Sequence, residues 1–311
     1  MISELKFVTV GVSSLERAID FYRDAFGYDV IGTGELGAAP TPFYDDAWAQ
    51  GRTLRADYAV VGVPGMASGM MRLVAFDAPS TQIWGTYARP GDHGLYAVNY
   101  RVPDMAVGWP RVLAAGARPR SEPHTWQVDE TLTVHDCMCF DPDGTLLDVF
   151  EIIATGPSMH GDLTRQASEV QNVVVHTADA DRCRDFYAGL GYTVNQDKTL
   201  EGLESFLKLP PGTALRNLNL AMNHLTPNGR IEISQYVGVA GRRVNATLPA
   251  LGILAMTFRA DDFEEGCAKF VRLGATAVGQ AYRTVLPPFG RAQARLFEGP
   301  DGERLELFAT D

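Results

Sequence analysis

One pattern of apolar and polar positions occurs four times along this chain: an apolar run followed by apolar residues at helical spacing. Four apolar, β-branched runs predict buried strands: 7–12, 96–102, 170–176 and 254–259. After each run, apolar positions three and four residues apart predict an amphipathic helix: 13–26, 105–115, 179–190 and 263–273. Ser14 and Asp179 are suited to begin their helices as N-caps, and a glycine follows each helix. The pattern therefore predicts four units, each with a strand, a helix and several further short strands.

Two short motifs repeat at constant offsets. Asp-Phe-Tyr occurs near the end of the first and third helices, at 20–22 and 185–187, an offset of 165 residues. Pro-Asp-Gly precedes the final strand of the second and fourth units, at 142–144 and 300–302, an offset of 158 residues. The third and fourth units therefore repeat the first and second.

The segment between the second and third units has no periodicity and is rich in glycine, proline, serine and threonine. It predicts a linker at 156–166 between two domains, 1–155 and 167–311. A length of 311 residues fits two domains of roughly 150 residues each. The mixture of strands and helices indicates an α+β fold.

The order of strand, helix with Asp-Phe-Tyr and glycine, three strands and a Pro-Asp-Gly turn resembles the vicinal oxygen chelate superfamily over essentially the whole chain. This superfamily includes glyoxalase I, extradiol dioxygenases and bleomycin-binding proteins. The resemblance implies four tandem βαβββ modules paired into two cup-shaped mixed-sheet domains. Modules 1 and 2 would form the first cup and modules 3 and 4 the second, with a ligand inside. A four-module chain looks most like the two-domain extradiol dioxygenases and other fused glyoxalase-like proteins.

In metal-using members of this superfamily, the first strand of a module supplies His or Gln and the last strand supplies Glu. The corresponding first-strand positions of this chain are Phe7, Ala97, Asn172 and Ala255. The last-strand positions are Arg72, Asp148, Glu232 and Glu306. None of these residues is His, so the usual site of two histidines and one carboxylate cannot be assembled. This departure argues against the glyoxalase and dioxygenase activities of the superfamily.

In the expected first cup, Arg72 and Asp148 each lie at the centre of an apolar strand. A charge at such a position needs a partner or a polar cavity. The two side chains could pair where the metal would otherwise sit, or Arg72 could hold an anionic ligand through its guanidinium. Alternatively, both charges point into solvent from an open sheet. Arg72 and Asp148 are therefore candidate ligand-binding residues.

The expected second cup retains Asn172, Glu232 and Glu306. An amide oxygen and two carboxylates suit a hard divalent cation such as Mn²⁺ or Mg²⁺, and Fe is a further candidate. Without a metal, the two carboxylates could share a proton, which makes them candidate catalytic residues. Alternatively, Arg230 or Arg304 neutralises them on an exposed face.

Other candidate residues lie around these positions. His176 shares a strand face with Asn172 and is either a general acid or base at the cup rim or a surface or capping residue. Tyr96 and Trp48 are candidate ligand walls. Trp48 belongs to the long loop 34–51, which is either a lid over the first cup or a short helix packed on the domain edge.

Composition narrows the expected partners. Lys and Arg number 27 against 38 Asp and Glu, for a formal charge of −11, so neither nucleic acid nor an anionic membrane surface is expected. No apolar segment reaches the roughly 20 residues that a membrane span needs. The four cysteines form no CxxC pair and the N-terminus shows no signal peptide, so a reduced, cytoplasmic protein is expected.

Two functions fit these features. The first is an enzyme that acts on an oxygen-rich or aromatic small molecule, through an atypical metal or metal-free acid/base chemistry of the lyase, isomerase or dioxygenase-like type. The second is a non-catalytic small-molecule binding protein of the bleomycin-resistance type, which uses an aromatic-lined cup without chemistry. Open sheet edges also make a homodimer a candidate assembly.

Overall fold

The computed structural model describes residues 1–36, 54–83, 90–154, 163–222, 228–244 and 246–311. Four modules follow one another along the chain, as the sequence predicts. The first contains β1 (Ile2–Val12), α1 (Leu15–Phe26), β2 (Asp29–Leu36), β3 (Ala56–Gly62), β4 (Met70–Phe76) and the short β5 (Thr81–Gln82). The second contains β6 (Gly94–Arg101), α2 (Met105–Ala114), β7 (Arg118–Pro119), β8 (His124–Asp129), β9 (Leu132–Phe140) and β10 (Leu146–Ala154).

The third and fourth modules repeat this order. The third contains β11 (Asn172–His176), α3 (Ala180–Leu190), β12 (Thr193–Leu200), the one-turn helix α4 (Glu204–Leu207), β13 (Leu215–Ala221) and β14 (Arg230–Tyr236). The fourth contains β15 (Ala250–Ala260), α5 (Phe263–Arg272), β16 (Thr276–Leu286), β17 (Gly290–Glu298) and β18 (Arg304–Thr310). The α+β fold of tandem βαβββ modules is confirmed. Within the described ranges, no helix is long and apolar enough to cross a membrane.

The helix ends follow from the residues predicted to cap them. The Ser14 hydroxyl accepts a hydrogen bond from the backbone N–H of Arg17, and the Asp179 carboxylate accepts one from the N–H of Arg182. Each therefore satisfies one of the amide groups that a helix start leaves without an internal partner. At the other end of α1, Gly27 adopts a φ of 74°, in the left-handed region that glycine enters without strain.

The strands form two mixed sheets. One has the strand order β16-β17-β18-β15-β1-β4-β3-β2, with β5 beside β15, and is called the 1–4 sheet because modules 1 and 4 build it. The other has the order β12-β13-β14-β11-β6-β10-β9-β7, with β8 beside β9, and is called the 2–3 sheet. The concave faces of the two sheets are called the 1–4 cup and the 2–3 cup.

This pairing differs from the expected one, in which modules 1 and 2 share a cup, as do modules 3 and 4. Instead, β1 pairs with β15 and β6 pairs with β11, both antiparallel. Each first strand also pairs in parallel with the last long strand of its own module, which is β4, β10, β14 or β18. Its second edge is therefore available for pairing with another module. All four first strands are apolar, so the sequence pattern does not select which two meet at that edge.

Alternate residues of the first strands face different apolar clusters. In β1, Val8 and Val10 belong to a large cluster that also includes side chains of both sheets and of α1, α2, α3 and α5, whereas Phe7 faces the 1–4 cup. In β6, Val98 belongs to the same large cluster and Ala97 faces the 2–3 cup. The large cluster thus holds the two sheets together, and the opposite face of each sheet forms a cup.

The two repeated motifs dock consecutive modules onto each other. The Tyr22 hydroxyl donates to Asp141 Oδ2 at 3.0 Å, and the Tyr187 hydroxyl donates to Glu303 Oε1 at 2.9 Å. All four side chains are buried. The helix that carries Asp-Phe-Tyr in one module is therefore anchored to the Pro-Asp-Gly turn of the next. Consecutive modules meet through these contacts, while the sheets join modules 1 with 4 and 2 with 3.

Candidate functional site

An ion pair occupies the centre of the 1–4 cup. Arg72 Nη2 lies 2.8 Å from Glu306 Oε2, and the two side chains are 3% and 1% exposed. Arg72 also donates to Thr9 Oγ1 from Nε and Nη2, at 3.1 and 2.8 Å. On the other side, the Thr257 hydroxyl donates to Glu306 Oε2 at 2.9 Å and the Tyr282 hydroxyl donates to Oε1. Both partners of the ion pair are therefore hydrogen-bonded to other side chains of the chain itself.

The 1–4 cup has almost no free space. Its cavity measures about 10 Å³ and is lined by Arg72, Glu306 and their hydrogen-bond partners among others. A buried cavity must offer about 10–15 Å³ on this measure to hold a single water molecule. Among the described residues, the space beside the ion pair is therefore filled by side chains of the chain itself.

Two sequence expectations about these residues are corrected by the sheet pairing. Arg72 pairs with Glu306, not with Asp148, because modules 1 and 4 share a sheet. For the same reason Glu306 lies apart from Glu232 and Asn172, which belong to the 2–3 sheet. The three do not form one group of carboxylate and amide ligands.

The 2–3 cup encloses a cavity of about 70 Å³ on the same measure. Its polar side chains come from several strands: Asn99, Asp136, Asp148, Asn217, Glu232 and Ser234. Its apolar and aromatic wall is formed by Tyr96, Ala97, Trp126, Met138, Val174, Leu203, Phe206, Leu207, Leu215 and Tyr236. A polar floor under an aromatic wall is typical of sites for small organic molecules.

Three asparagine side chains hold the Glu232 carboxylate. Asn99 Nδ2 and Asn172 Nδ2 both donate to Oε2, the former at 3.0 Å, and Asn217 Nδ2 donates to Oε1 at 2.7 Å. Burial nevertheless raises the pKa of Glu232 to about 7, although the bonds from Asn217 and Asn172 act in the opposite direction. Glu232 therefore exchanges its proton near neutral pH.

Asp136 and Asp148 complete a group of three carboxyls. Trp126 Nε1 donates to Asp136 Oδ2 at 3.0 Å. Burial, with the nearby charge of Glu232, raises the pKa of Asp136 to about 7. Burial, followed by the charges of Asp136 and Glu232, raises the pKa of Asp148 well above its usual value. Because like charges in one cavity repel, the group retains protons near neutral pH unless a cation joins it.

Three oxygen atoms in this cup have no hydrogen-bond partner among the described residues. They are Oδ1 of Asp136, Oδ1 of Asp148 and Oδ1 of Asn99, all buried. Buried acceptors of this kind are normally satisfied, so they mark a place where a ligand or water supplies hydrogen-bond donors.

His176 is buried rather than placed at the cup rim. Its side chain is 1% exposed, and Nδ1 lies 2.7 Å from the Ser234 hydroxyl oxygen. The imidazole ring packs against Tyr236 and Tyr96, with ring centres 4.2 and 5.5 Å away. Burial, with a smaller effect of His93, lowers the pKa of His176 to about 3. A neutral imidazole behind the aromatic wall positions that wall and is a poor proton acceptor.

Helix α4 closes one side of the 2–3 cup. Leu203, Phe206 and Leu207 line the cavity, and Arg120 Nη2 ties the helix down by donating to the Leu207 carbonyl at 2.8 Å. The lid or edge helix expected in the loop 34–51 is a different segment, and residues 37–53, including Trp48, lie outside the described residues. The spacing of three and four between the apolar residues of α4 is the signal by which this helix could have been found.

Neither cup fits the divalent metal that the superfamily resemblance implies. In the 1–4 cup the Arg72 guanidinium takes the position of the cation beside Glu306. In the 2–3 cup, both Glu232 oxygens accept amide N–H groups, which present hydrogen atoms rather than lone pairs toward the carboxylate. Within the described part of the chain, no three side chains of His, Cys, Asp or Glu are grouped so that they could hold a metal ion.

A third cavity, of about 260 Å³, lies between Leu95 of β6 and strands β15 and β16. Its buried carboxyl, Glu303, accepts hydrogen bonds from the Tyr187 hydroxyl and the Asp301 N–H. Glu303 thus belongs to the contact between modules 3 and 4. The 2–3 cup is therefore the candidate site.

Comparisons with known proteins agree with the fold. Residues 4–149 match the family model described as the Glyoxalase/Bleomycin resistance protein/Dioxygenase superfamily. Glyoxalase I from Zea mays is similar over 98% of this chain and 92% of its own, at 16% identity and a TM-score of 0.64. A mutant of the same enzyme gives the same coverage and identity with a TM-score of 0.66.

Other comparisons add less. A glyoxalase family protein from Bacillus cereus is similar over 51% of this chain and 98% of its own, at 22% identity and a TM-score of 0.38. A search of curated proteins gave no match. Residues 4–149 are therefore similar to the glyoxalase/bleomycin resistance/dioxygenase superfamily, and the four modules of the chain share the fold of glyoxalase I.

Proposed function

We propose that the 2–3 cup binds a small molecule with an aromatic or oxygen-rich body and transfers a proton on it, with Asp148 as the proton carrier and without a divalent metal. The observation that carries this proposal is the state of the Asp148 carboxyl. It faces the cavity, and its Oδ1 has no hydrogen-bond partner among the described residues. Asp136 and Glu232, in contrast, are each bonded to neighbouring side chains.

The electrostatics of the cup support this role. A carboxyl whose pKa burial raises above that of an ordinary aspartate is, once ionised, a stronger proton acceptor towards a substrate. The reaction would begin with Asp148 ionised. Its carboxylate accepts a proton from a carbon atom of the substrate and donates a proton to another atom of the same molecule, and in between the proton on Asp148 exchanges with solvent. No atoms are gained or lost, so the reaction is an isomerisation.

The other polar residues have supporting roles in this proposal. Glu232 is held by Asn99, Asn172 and Asn217, so it stays in place while its charge raises the pKa of Asp148. Tyr96 and Tyr236, kept in position by His176, form the wall against which a planar substrate packs. Glu306 has no place in this reaction because Arg72 neutralises it in the other cup.

Hydrogen exchange from solvent tests the proposal even though the substrate is not identified. The protein is incubated in D₂O with a library of small aromatic carbonyl, hydroxyl and amine compounds. The samples are then returned to H₂O, which removes deuterium from O–H and N–H groups, and mass spectrometry detects compounds that have gained deuterium on carbon. Asp148→Asn should slow the exchange at least about a hundredfold, the size expected for loss of a general base. Asp197→Asn, at an exposed carboxylate, is the matched control and should exchange as the unaltered protein does. Equal exchange by Asp148→Asn and the unaltered protein contradicts the proposal.

The metal-free part of the proposal has its own measurement. After treatment with a chelator, the exchange rate should be the same with and without added Mn²⁺, Mg²⁺ or Fe²⁺. A rate that depends on one of these ions would show that a metal acts in the cup.

A binding protein of the bleomycin-resistance type is the second candidate function. It is favoured by the aromatic wall of Tyr96, Trp126, Phe206 and Tyr236, which binds a planar molecule without any chemistry. The same exchange experiment separates the two functions. A compound that binds the cup and is always recovered without deuterium indicates a binding protein.

A homodimer is a further proposal, because β2 and β16 end the 1–4 sheet and, among the strands that the structure describes, each has one edge without a neighbour. Light scattering during size-exclusion chromatography would give twice the chain mass of 33.9 kDa for a dimer. A mass of one chain excludes it.

A further inference from the structure

We infer that the ligand of the 2–3 cup is an organic cation, a small molecule that carries a protonated amine beside an aromatic or apolar body. This inference rests on the proposal that the 2–3 cup is the working site. It adds the chemical class of the molecule that the cup accepts.

The floor of the cup has hydrogen-bond acceptors that the described residues leave unused. Oδ1 of Asp136, Oδ1 of Asp148 and Oδ1 of Asn99 are buried and have no partner among those residues. The Asn99 and Asp136 side chains are 3% and 4% exposed, and all three residues line the cavity. A ligand that satisfies them must donate several hydrogen bonds from one point. An ammonium group does this, because it has up to three N–H donors and no acceptor.

The charge of the cup favours the same ligand. Its lining contains three carboxyls and, among the described residues, no Lys or Arg. The nearby Arg120 does not line the cavity; it lies behind the wall, where it donates to the backbone carbonyls of Phe206 and Leu207 and to Met138 Sδ. An anionic ligand would be repelled here, whereas a cation compensates the carboxylates and is held by charge-assisted hydrogen bonds.

The two cups of this chain differ in whether they contain a cation of their own. Arg72 and Asp148 occupy corresponding positions in the last strands of modules 1 and 2, each opposite the first strand of its own module. In the 1–4 cup the chain supplies its own cation at this position, and the cavity is only about 10 Å³. In the 2–3 cup the position carries a carboxyl, and the cavity is about 70 Å³. The larger cup lacks the positive charge that the smaller one contains, and it has room to accept one.

The aromatic wall also suits a cation. Tyr96, Trp126, Phe206 and Tyr236 surround the space above the carboxyls. The faces of aromatic rings carry negative charge density and attract cations that have been removed from water. Carboxyl groups below and aromatic rings around the sides together favour a positively charged nitrogen with an apolar substituent over a fully hydrated inorganic ion.

A series of three ligands of nearly the same size tests the inference. Benzylammonium, benzyl alcohol and benzoate share the ring and differ in charge, which is positive, zero and negative at pH 7.5. Isothermal titration calorimetry on the full chain should give a dissociation constant for benzylammonium at least about tenfold lower than for benzyl alcohol, and no detectable binding of benzoate. Equal or tighter binding of benzyl alcohol or benzoate overturns the inference.

Variants assign the binding to this cup. Asp148→Asn and Asp136→Asn each keep the size of the side chain and remove one charge, and each should weaken benzylammonium binding about tenfold or more. Asp197→Asn, at the surface carboxylate that pairs with Arg216, should leave the binding unchanged. Unchanged binding to both cup variants overturns the inference. Should a cup variant fail to fold, the three-ligand series on the unaltered protein decides alone.

Two further outcomes complete the test. If KCl displaces benzylammonium completely at a concentration similar to that of benzylammonium itself, where the ionic strength hardly changes, the cup is a site for an inorganic cation and the inference is wrong. If benzylammonium binds as expected but no compound gains deuterium, the inference stands and the proposed proton transfer fails. Exchange on neutral compounds without benzylammonium binding gives the reverse result.

Discussion

Arg72 and Glu306 are 234 residues apart in the sequence, yet Nη2 of one lies 2.8 Å from Oε2 of the other. They come from the first and fourth modules and meet because β1 and β15 pair at the centre of one sheet. Both side chains are buried, so the ion pair connects the first and fourth modules in a region from which water is excluded.

Removal of one partner of this ion pair should therefore lower the stability of the folded protein. Arg72→Met leaves the Glu306 carboxylate buried without its cation and should lower the free energy of unfolding by about 3–5 kcal/mol. The double substitution Arg72→Met and Glu306→Gln removes both charges and should recover most of that loss. Urea unfolding measures both values. Arg272→Met, in an exposed ion pair, serves as the control and should change stability little. A double variant no more stable than Arg72→Met would contradict this account.

The two hydrogen bonds that dock consecutive modules should contribute equally to the free energy of unfolding. Tyr22→Phe and Tyr187→Phe each remove the hydroxyl that donates to a buried carboxyl, Asp141 in one case and Glu303 in the other. Each should cost about 1–3 kcal/mol, because the carboxyl loses a donor that nothing replaces. The contacts share no residue, so the double variant should show the sum of the two losses in thermal or urea unfolding. A loss from one substitution and none from the other would show that the repeat is not energetically symmetric.

Stability should fall as the pH rises from about 4 to about 7. Burial raises the pKa of Asp136, Glu232 and Glu303 to about 7 and that of Asp141 to about 6, so these carboxyls hold protons in the folded protein that the unfolded chain has already released. In this window the folded state binds more protons than the unfolded state, and each extra proton lowers the free energy of unfolding by about 1.4 kcal/mol per pH unit. The melting temperature should therefore be higher at pH 5 than at pH 8.

Other groups change this expectation little. His176, whose pKa is lowered to about 3, has the opposite sign: its contribution is lost as the pH falls from about 6.5 towards 3. Because His176 is one group and the carboxyls are several, the free energy of unfolding still decreases as the pH rises. Glu232→Gln should make the slope shallower. A melting temperature that rises steadily from pH 5 to pH 8 would contradict the assignment of raised pKa values.

His176 should not titrate in the physiological range. Its ring is buried, bonded to Ser234 and packed against Tyr236, and its pKa is lowered to about 3. Its imidazole C–H resonances in NMR spectra should therefore not shift between pH 5 and pH 8, and the pH profile of any activity in the cup should contain no step from this residue. A resonance of His176 that titrates near pH 6.5 would show that the ring is accessible and protonated.

Much of the local structure follows from the sequence alone. The helices at Leu15–Phe26 and Ala180–Leu190 begin after the predicted caps and end before the predicted glycines. Apolar spacing and capping are short-range properties, and a single sequence contains them. The choice of partner for each first strand is different, because β1, β6, β11 and β15 are all apolar and could each pair with any other.

The candidate site was predicted incompletely for the same reason. Glu232, Asn172, Asp148 and Tyr96 lie in one cup, but Glu306 and Arg72 lie in the other because the modules pair 1 with 4 and 2 with 3. Some missed residues were within reach of strand periodicity. Asn99 is two positions after Ala97 and therefore on the same face.

Asp136 was missed although the same rule applies to it. It alternates along β9 with Cys137 and Cys139, which point away from the cup into the large apolar cluster. Its own face is therefore that of the cavity. Neither Asn99 nor Asp136 stands at a position where the superfamily places its metal ligands, so an alignment on those positions alone does not find them.

The pairing of modules also has a consequence for synthesis on the ribosome. The 2–3 sheet is built from consecutive modules and has all of its strands once Tyr236 has been translated. β1, in contrast, is made first and must wait until β15 emerges before its outer edge is covered. Until then the edge of β1 that later pairs with β15 has no neighbouring strand, and an unpaired apolar edge of this kind can pair with other chains. The cup with the open cavity is thus complete while the cup with the internal ion pair is still half made.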